Sequence, residues 1–349
     1  MSNRILLFLL AALLFMGACI REHTDPCVVS GPRLLFSYTW DGLHEDDLAS
    51  RVQDMRVYVF DQSTGLLAAI LPVNAADVAR GYINAPLPDG VYTMVVWAGS
   101  SNNLLAGGFK DAQASGTNPD GYASPATVGV TTLTDFRMML AYNTLSGDTI
   151  SQITPQTVKF DNLFFGIARD VVISGGTGQE IRFDMTKSSS RIRFRIVGIQ
   201  YLNGVNGPSS RAADSLNIFL VGRNGILTAD NSVDGNAQKM RYNPYVRLLD
   251  TNTLEVDIQT LRLVIGQSML LYIQSLYGAN LIPPIDVMQT ILQVKDNQGN
   301  ARYKNQQEID REEEFLIQIV IEPNLSLRVT VNGFRTEVLY PKIIVEPGQ

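Results

Sequence analysis

The 349-residue chain predicts an all-β protein, read as two tandem antiparallel β-sandwiches. Three observations lead there: apolar and polar residues alternate over many short runs, clusters of Gly, Pro, Asn and Asp separate those runs, and a 3.6-residue apolar period is scarce. The 45% hydrophobic and 18% charged content is that of folded globular material. The length suits two domains, because single cores rarely grow beyond about 250 residues.

Leu34, Phe36, Tyr38 and Trp40 alternate with Arg33, Leu35, Ser37 and Thr39, the period of a half-buried strand. In 41–54, Leu48, Val52 and Met55 fall at i, i+4 and i+7, which predicts a short helix. Residues 55–60 form the next strand, and Asp61-Gln62-Ser63-Thr64-Gly65 turns it back into 66–71. Leu87-Pro88-Asp89-Gly90 is a turn, Pro presetting φ and Gly accepting positive φ, and it launches the very apolar strand 91–98. The Gly-, Ser-, Asn- and Ala-rich stretch 99–125 reads as a long surface loop. Further strands are expected at 127–140, 157–160 and 171–173, the last ended by Gly175-Gly176-Thr177-Gly178.

Ile181, Phe183 and Met185 face away from Glu180, Arg182 and Asp184. After Lys187-Ser188-Ser189-Ser190, Ile192, Phe194 and Ile196 face away from Arg191, Arg193 and Arg195. This polar joint marks a boundary near residue 186 between an N-terminal sandwich, 33–185, and a C-terminal one, 186–349. In the second half 216–221, 254–263, 269–276, 287–294, 315–321 and 325–331 are strand candidates. Asn332-Gly333 is a hairpin-type turn because both residues tolerate positive φ.

Ahead of the folded part, Arg4, the apolar run 5–16 and the small residues Gly17-Ala18 before Cys19 make up a secretory signal. At about 1.5 Å per residue the run covers about 18 Å, short of the roughly 30 Å hydrocarbon core of a bilayer. Residues 1–18 therefore read as a removable signal peptide. Met16-Gly17-Ala18-Cys19 resembles the lipobox of bacterial lipoproteins, with Met16 where Leu is usual, and cleavage before Cys19 leaves its thiol to carry lipid. The other reading is an ordinary secretory signal with Cys19 near the cut by chance. Each buried methylene contributes about 0.8 kcal/mol, so several acyl chains hold the mature N-terminus at a membrane. Residues 19–32 lack periodicity and form a tether, in which Cys27, left alone once Cys19 is lipidated, reads as an inert thiol, with pairing to another chain as the alternative.

The residues offer little chemistry. A net charge of -6 argues against a nucleic-acid partner. His23 and His44 are the 2 histidines, and neither has metal-ligand spacing with a cysteine or the other. The cluster His44-Glu45-Asp46-Asp47 reads as a solvated helix start, with a cation site as the alternative, and no phosphate-binding glycine loop opens a helix. No catalytic, cofactor or metal site is expected. Arg191, Arg193 and Arg195 read as a solvated face, with an anionic partner as the alternative. Trp40 and Trp97 fall on the apolar sides of their strands, so they read as core rather than as carbohydrate platforms. The run Asp310-Arg311-Glu312-Glu313-Glu314 reads as a charged approach to a buried strand that acts against misplaced pairing.

The chain resembles the FimB-type anchor lipoproteins of the fimbrillin superfamily, which builds type V pili. The similarity runs from Cys19-Ile20-Arg21-Glu22, with Cys27 following, and Leu34-Leu35-Phe36-Ser37-Tyr38 through Val57-Tyr58-Val59-Phe60-Asp61, Gly90 to Trp97 and Leu163-Phe164-Phe165-Gly166. It ends in Ile309 to Ile317 and Val331-Asn332-Gly333-Phe334, where Phe334 stands in place of a frequent Trp; the order Pro26-Cys27 also departs from the usual one.

The resemblance implies two transthyretin-like sandwiches and a role without enzymatic activity. It also implies strand addition, in which a shaft subunit loses its first strand to an arginine-specific protease and a neighbour's C-terminal strand refills the groove. An anchor by contrast keeps its lipidated Cys19 and its first strand near 34–40, is held by lipid at the outer membrane on the cell surface, and offers a C-terminal strand to a fimbrial shaft subunit. The candidate donor strand is 336–345, with Leu339, Ile343 and Val345 on one face and Val338, Tyr340 and Ile344 on the other; Pro341 removes one backbone donor. The alternative is that this strand closes its own sheet. Two other roles stay open: a surface glycan-binding lipoprotein, or a shaft or tip pilin cut after an arginine such as Arg33 or Arg51. Asp148-Thr149-Ile150 and Asp214-Ser215-Leu216 resemble a bacterial O-glycosylation acceptor.

Overall fold

A computed structural model of the chain describes residues 31–39, 45–100, 105, 109–114, 122–123, 125–143, 150–153, 160–175, 177–202, 216–250, 252–275 and 277–335. The signal peptide, Cys19, the tether up to residue 30 with His23 and Cys27, Trp40, His44, Thr149, Ser215 and the segment 336–349 lie outside the described residues, whereas the last two tether residues, Gly31 and Pro32, begin the first strand.

Among the described residues the strands form five sheets. A cover sheet holds Gly31–Ser37 between Thr177–Asp184, to which it runs parallel, and Tyr82–Asn84, to which it runs antiparallel. Its Leu34, Phe36, Ile181 and Phe183 share a core with Val57, Val59, Met94, Val96 and Phe164 of a central sheet. That sheet orders Thr186–Lys187, Leu163–Ile173, Gly90–Gly99, Asp54–Asp61 and Leu67–Val73. Because side chains alternate, Tyr58, Phe60, Val95 and Trp97 face the opposite side. There a small sheet packs, built from Ile226–Thr228, Phe136–Leu140, Phe109–Ala114 and Tyr122–Ala123. The Phe136 ring lies 4.5 Å from Tyr58 and 5.7 Å from Phe60, and the Tyr58 hydroxyl donates to Asp111 Oδ2 at 3.0 Å. Covered on both faces, the central sheet carries the near-continuous apolar run that distinguishes 91–98.

The C-terminal part stacks two larger sheets. One orders Val246–Leu249, Thr253–Leu261, Ser189–Val197, Glu314–Ile321, Leu327–Val331 and Phe334–Arg335. The other orders Ile285–Asp286, Met269–Ser275, Leu216–Gly222, Lys239–Tyr242, Ile150–Ile153 and Tyr142–Asn143. Ile192, Phe194, Val256 and Ile317 meet Ile218, Leu220, Met240 and Leu271 in a core that also includes Trp97 and Phe136. Two sheets draw strands from both sides of residue 186, since Ile150–Ile153 runs parallel to Lys239–Tyr242 and Ile226–Thr228 pairs with Phe136–Leu140. Backbone hydrogen bonds thus interlock the early and late parts of the chain.

The all-β expectation holds, with differences in detail. Among the described residues three strand pairs are parallel rather than antiparallel, the third joining Ser189–Val197 to Glu314–Ile321, and each is closed by a long return connection. Of 127–140 only Phe136–Leu140 is a strand. The threonines before it bond to the nearby backbone instead: Thr127 N donates to Thr131 Oγ1 at 2.8 Å and Asp135 N to Thr132 Oγ1 at 3.1 Å. The expected strand at 287–294 is the helix Val287–Leu292, capped by Asp286 accepting from Gln289 N at 3.1 Å and burying Val287, Met288, Thr290 and Ile291 on one face. The presumed loop 99–125 contains the strand Phe109–Ala114, whose Phe109 and Ala112 enter the core. In 41–54 the helix is shorter than expected, Leu48–Arg51, yet Leu48, Val52 and Met55 are all buried.

Candidate functional site

The residues singled out as sites, Cys19 and Val338, Leu339, Tyr340, Ile343, Ile344 and Val345, lie outside the described residues. The structure describes the platform from which the last of them depart. Val331 pairs with Phe334 and Thr330 with Arg335 across a tight turn. Asn332 (φ 48°) and Gly333 (φ 81°) both adopt the left-handed conformation, as a type I′ hairpin requires.

Asn332 also works through its side chain. Its Oδ1 accepts from Leu316 N at 2.7 Å, and its Nδ2 donates to Tyr303 Oη at 3.2 Å. Tyr303 donates to Glu312 Oε1 at 2.8 Å, Arg302 Nη2 donates to the same oxygen at 3.0 Å, and the Arg302 guanidinium lies 4.9 Å from the centroid of the Phe334 ring. Burial is the largest influence on the Tyr303 phenol, which is pushed up to about 12. The chain therefore reaches residue 336 from a turn fixed by backbone geometry, two side-chain hydrogen bonds and a cation–π contact.

The acidic run beside this hairpin is taken up by ion pairs. Asp310 pairs with Arg262 at 2.6 Å, Glu312 with Arg302 at 3.0 Å, and Glu314 with Arg191 and Arg193 at 3.0 and 3.4 Å. Glu313 reaches the early part of the chain: its Oε2 accepts from Arg51 Nη1 at 2.8 Å and Lys187 Nζ at 3.4 Å, and its Oε1 from the Tyr38 hydroxyl at 3.2 Å. Lys187 Nζ also donates to the Glu313 carbonyl at 2.9 Å. In the polar joint 187–190, Lys187, Ser188 and Ser189 are buried.

The same network absorbs the arginine triplet. Arg191 and Arg193 share Asp257, and Arg195 pairs with Glu255 at 3.3 Å, so intramolecular acids occupy the positions an anionic partner would take. Trp97 is fully buried, as its alternation predicts. Among the described residues no group of His, Cys, Asp and Glu could hold a metal ion, and no helix is long and apolar enough to cross a membrane.

The first strand is enclosed. Gly31–Ser37 is paired along both edges, and at Gly31 the neighbouring chain passes so close that an added Cβ would stand 2.0 Å from the Ala85 carbonyl oxygen. The sequence signal for this strand was its alternation; the Glu313 node had none, since its partners are remote in sequence.

Solved structures share this architecture. A candidate polysaccharide-binding protein from Bacteroides thetaiotaomicron is 20% identical with a TM-score of 0.66, over 88% of this chain and 97% of that one. A candidate adhesin from Bacteroides ovatus is 16% identical with a TM-score of 0.65, over 88% and 95%. The fimbrial anchor protein Mfa2 from Porphyromonas gingivalis is 17% identical with a TM-score of 0.62, over 88% and 98%. At these identities the likeness establishes the fold. No curated protein matches the chain in a sequence search. A family model, however, matches residues 23–338, nearly the whole length, in agreement with the resemblance to fimbrial anchors. The chain belongs to the family of fimbrillin-A associated anchor proteins Mfa1 and Mfa2.

Proposed function

We propose that this chain is an outer-membrane lipoprotein that anchors a fimbria to the cell surface. In this reading Cys19 carries the lipid, the tether runs on to the first strand at Gly31, two sandwiches divided near residue 186 form the body, and 336–345 contacts a shaft subunit by strand pairing. Family membership supports a fimbrial role at the cell surface, in assemblies with other fimbrial subunits and outside the enzyme classes.

The observation that carries the reading is the enclosed first strand. Gly31–Ser37 is hydrogen-bonded on both edges, and Tyr38 just beyond it is tied to Glu313. A body that already holds this strand needs none from a neighbour in that position, as befits a subunit at the end of a fimbria. The fixed Asn332-Gly333 hairpin supports the second half of the reading, because the described chain ends in Phe334–Arg335, the outermost described strand of its sheet.

Mass spectrometry of the protein from assembled fimbriae tests the anchor role. A lipidated Cys19 at the mature N-terminus is expected, and an unlipidated start beyond Cys19 excludes it. Deleting 336–349 tests the contact: the variant is expected to be displayed and folded while fimbriae are shed into the medium, and fimbriae still attached to cells would sink the strand-mediated junction.

A further inference from the structure

One outward sheet face gathers three cations that no acid pairs with among the described residues. In Leu216–Gly222, Leu216, Ile218 and Leu220 belong to the core, so Asn217, Phe219 and Val221 point outward. Phe219 is nevertheless only 6% exposed. Its ring stacks on Tyr272 of the adjoining strand at 5.1 Å and 9°, and the Arg241 guanidinium, from the strand on the other side, lies 3.8 Å from its centroid.

Arg241 is held by neutral acceptors. Its Nε donates to Asn243 Oδ1 and its Nη2 to Asn217 Oδ1, each at 2.9 Å, and its Nη1 has no partner among the described residues. Lys239 stands two positions away on the same face, and the register that sets Gly222 opposite Met240 brings Arg223 beside it. Among the described residues no carboxylate pairs with Arg223, Lys239 or Arg241. Arg137, Arg191, Arg193, Arg262 and Arg302, by contrast, are each paired with an acid. In a chain of net charge -6 this face is a local inversion. Burial lowers the Arg241 guanidinium from its ordinary value with no acid to oppose it, so its charge is kept at a cost that a bound anion would offset.

We propose that this face binds an acidic polysaccharide, a sugar chain carrying uronic-acid carboxylates. The free side of the Arg241 fork suits a carboxylate, and Lys239 and Arg223 continue the cationic track. Tyr272 is half-buried with a hydroxyl that no described residue engages, and such a ring offers an apolar body and a polar tip to a sugar. From Asn217 to Arg223 the face runs about 20 Å at about 3.3 Å per residue, enough for several sugar rings. Tyr277, 90% exposed, lies past Ser275 at the end nearest Asn217. An acidic protein fits less well, because protein interface cores are depleted of Lys and built around buried apolar side chains. The proposal is independent of the anchor reading.

Calorimetric titration of the full-length protein with polygalacturonate, neutral dextran and poly-glutamate tests it. Binding to polygalacturonate that weakens with added salt, and no binding to dextran, is expected. Arg241→Gln is expected to weaken it about tenfold, the loss of one charge-assisted contact. Because that substitution also touches Phe219, the exposed Lys239→Gln serves as a second variant, expected to weaken binding about threefold with an unchanged melting temperature. Absence of polygalacturonate binding, equal binding to dextran, or both variants binding like the unaltered protein overturns the proposal. Equal affinity for poly-glutamate overturns the sugar assignment in favour of an acidic polypeptide.

Discussion

Burying an ammonium group costs several kcal/mol unless a carboxylate and further acceptors meet it, and Lys187, with a side chain 4% exposed, finds both in Glu313. Glu313→Gln removes the charge but keeps the shape, so we expect a loss of about 2 kcal/mol in denaturant unfolding, discounted because Glu313 is itself partly exposed. Adding Lys187→Met should recover part of that loss if the buried charge is the cause. A second expectation concerns alkaline pH. Burial raises the phenols of Tyr38, Tyr58 and Tyr242, and takes Tyr303 from 10.0 to about 12. A phenol whose folded value is raised favours the folded state fully below its unfolded value and ceases to do so as pH rises through the folded one. Stability measured by denaturant unfolding at a series of pH values should therefore fall from about pH 10 toward pH 12. A stability that stays constant across that range would contradict it. Trp97 and Ile192 were legible as core because alternation is local. Lys187 was not, because nothing local to Lys-Ser-Ser-Ser supplies its carboxylate, which comes from Glu313, 126 positions away.

The hairpin at 332–333 was written in its own residues, since Asn-Gly is the pair that accepts two successive positive φ angles. Its second function, the side-chain bridge from Leu316 to Tyr303, was invisible because both partners come from other elements. Asn332→Ala should cost about 2–3 kcal/mol, from the left-handed backbone and the two lost hydrogen bonds. Asn332→Gly keeps the backbone and loses only the hydrogen bonds, so it should cost less. Unfolding curves for the two separate the contributions, and equal losses would rule out a backbone share. Elsewhere the same local reasoning misjudged elements whose residues have two uses. The β-branched residues Val287, Thr290 and Ile291 read as a strand, but the Asp286 cap and burial of one face make 287–292 a helix. The helix Ala75–Arg80 went unread although Asn74 forms a capping box and Gly81 (φ 80°) closes its end.

Strand exchange makes the molecule more than two beads. Ile226–Thr228 completes a sheet begun by Phe109–Ala114 and Phe136–Leu140, and Ile150–Ile153 completes one begun by Lys239–Tyr242. Residues 33–185 alone would lack Ile226–Thr228, one of the two neighbours of Phe136–Leu140, and 186–349 alone would lack Ile150–Ile153, one of the two neighbours of Lys239–Tyr242. We expect the whole chain to melt in one calorimetric transition and neither piece to give a native-like melt; two resolved transitions, each reproduced by its piece, would show independent folding. By itself the sequence determined strand content, the inward and outward faces of most strands, the hairpin at 332–333 and the resemblance to fimbrial anchors, because period-two alternation and turn chemistry are local properties of the chain. Which strands neighbour one another, the parallel pairs, the closure of the acidic run onto Arg51 and Lys187, and the inverted charge of the Arg241 face were decided only by tertiary structure. These depend on groups tens to hundreds of positions apart, and the free energy of such contacts exists only once the sheets have assembled.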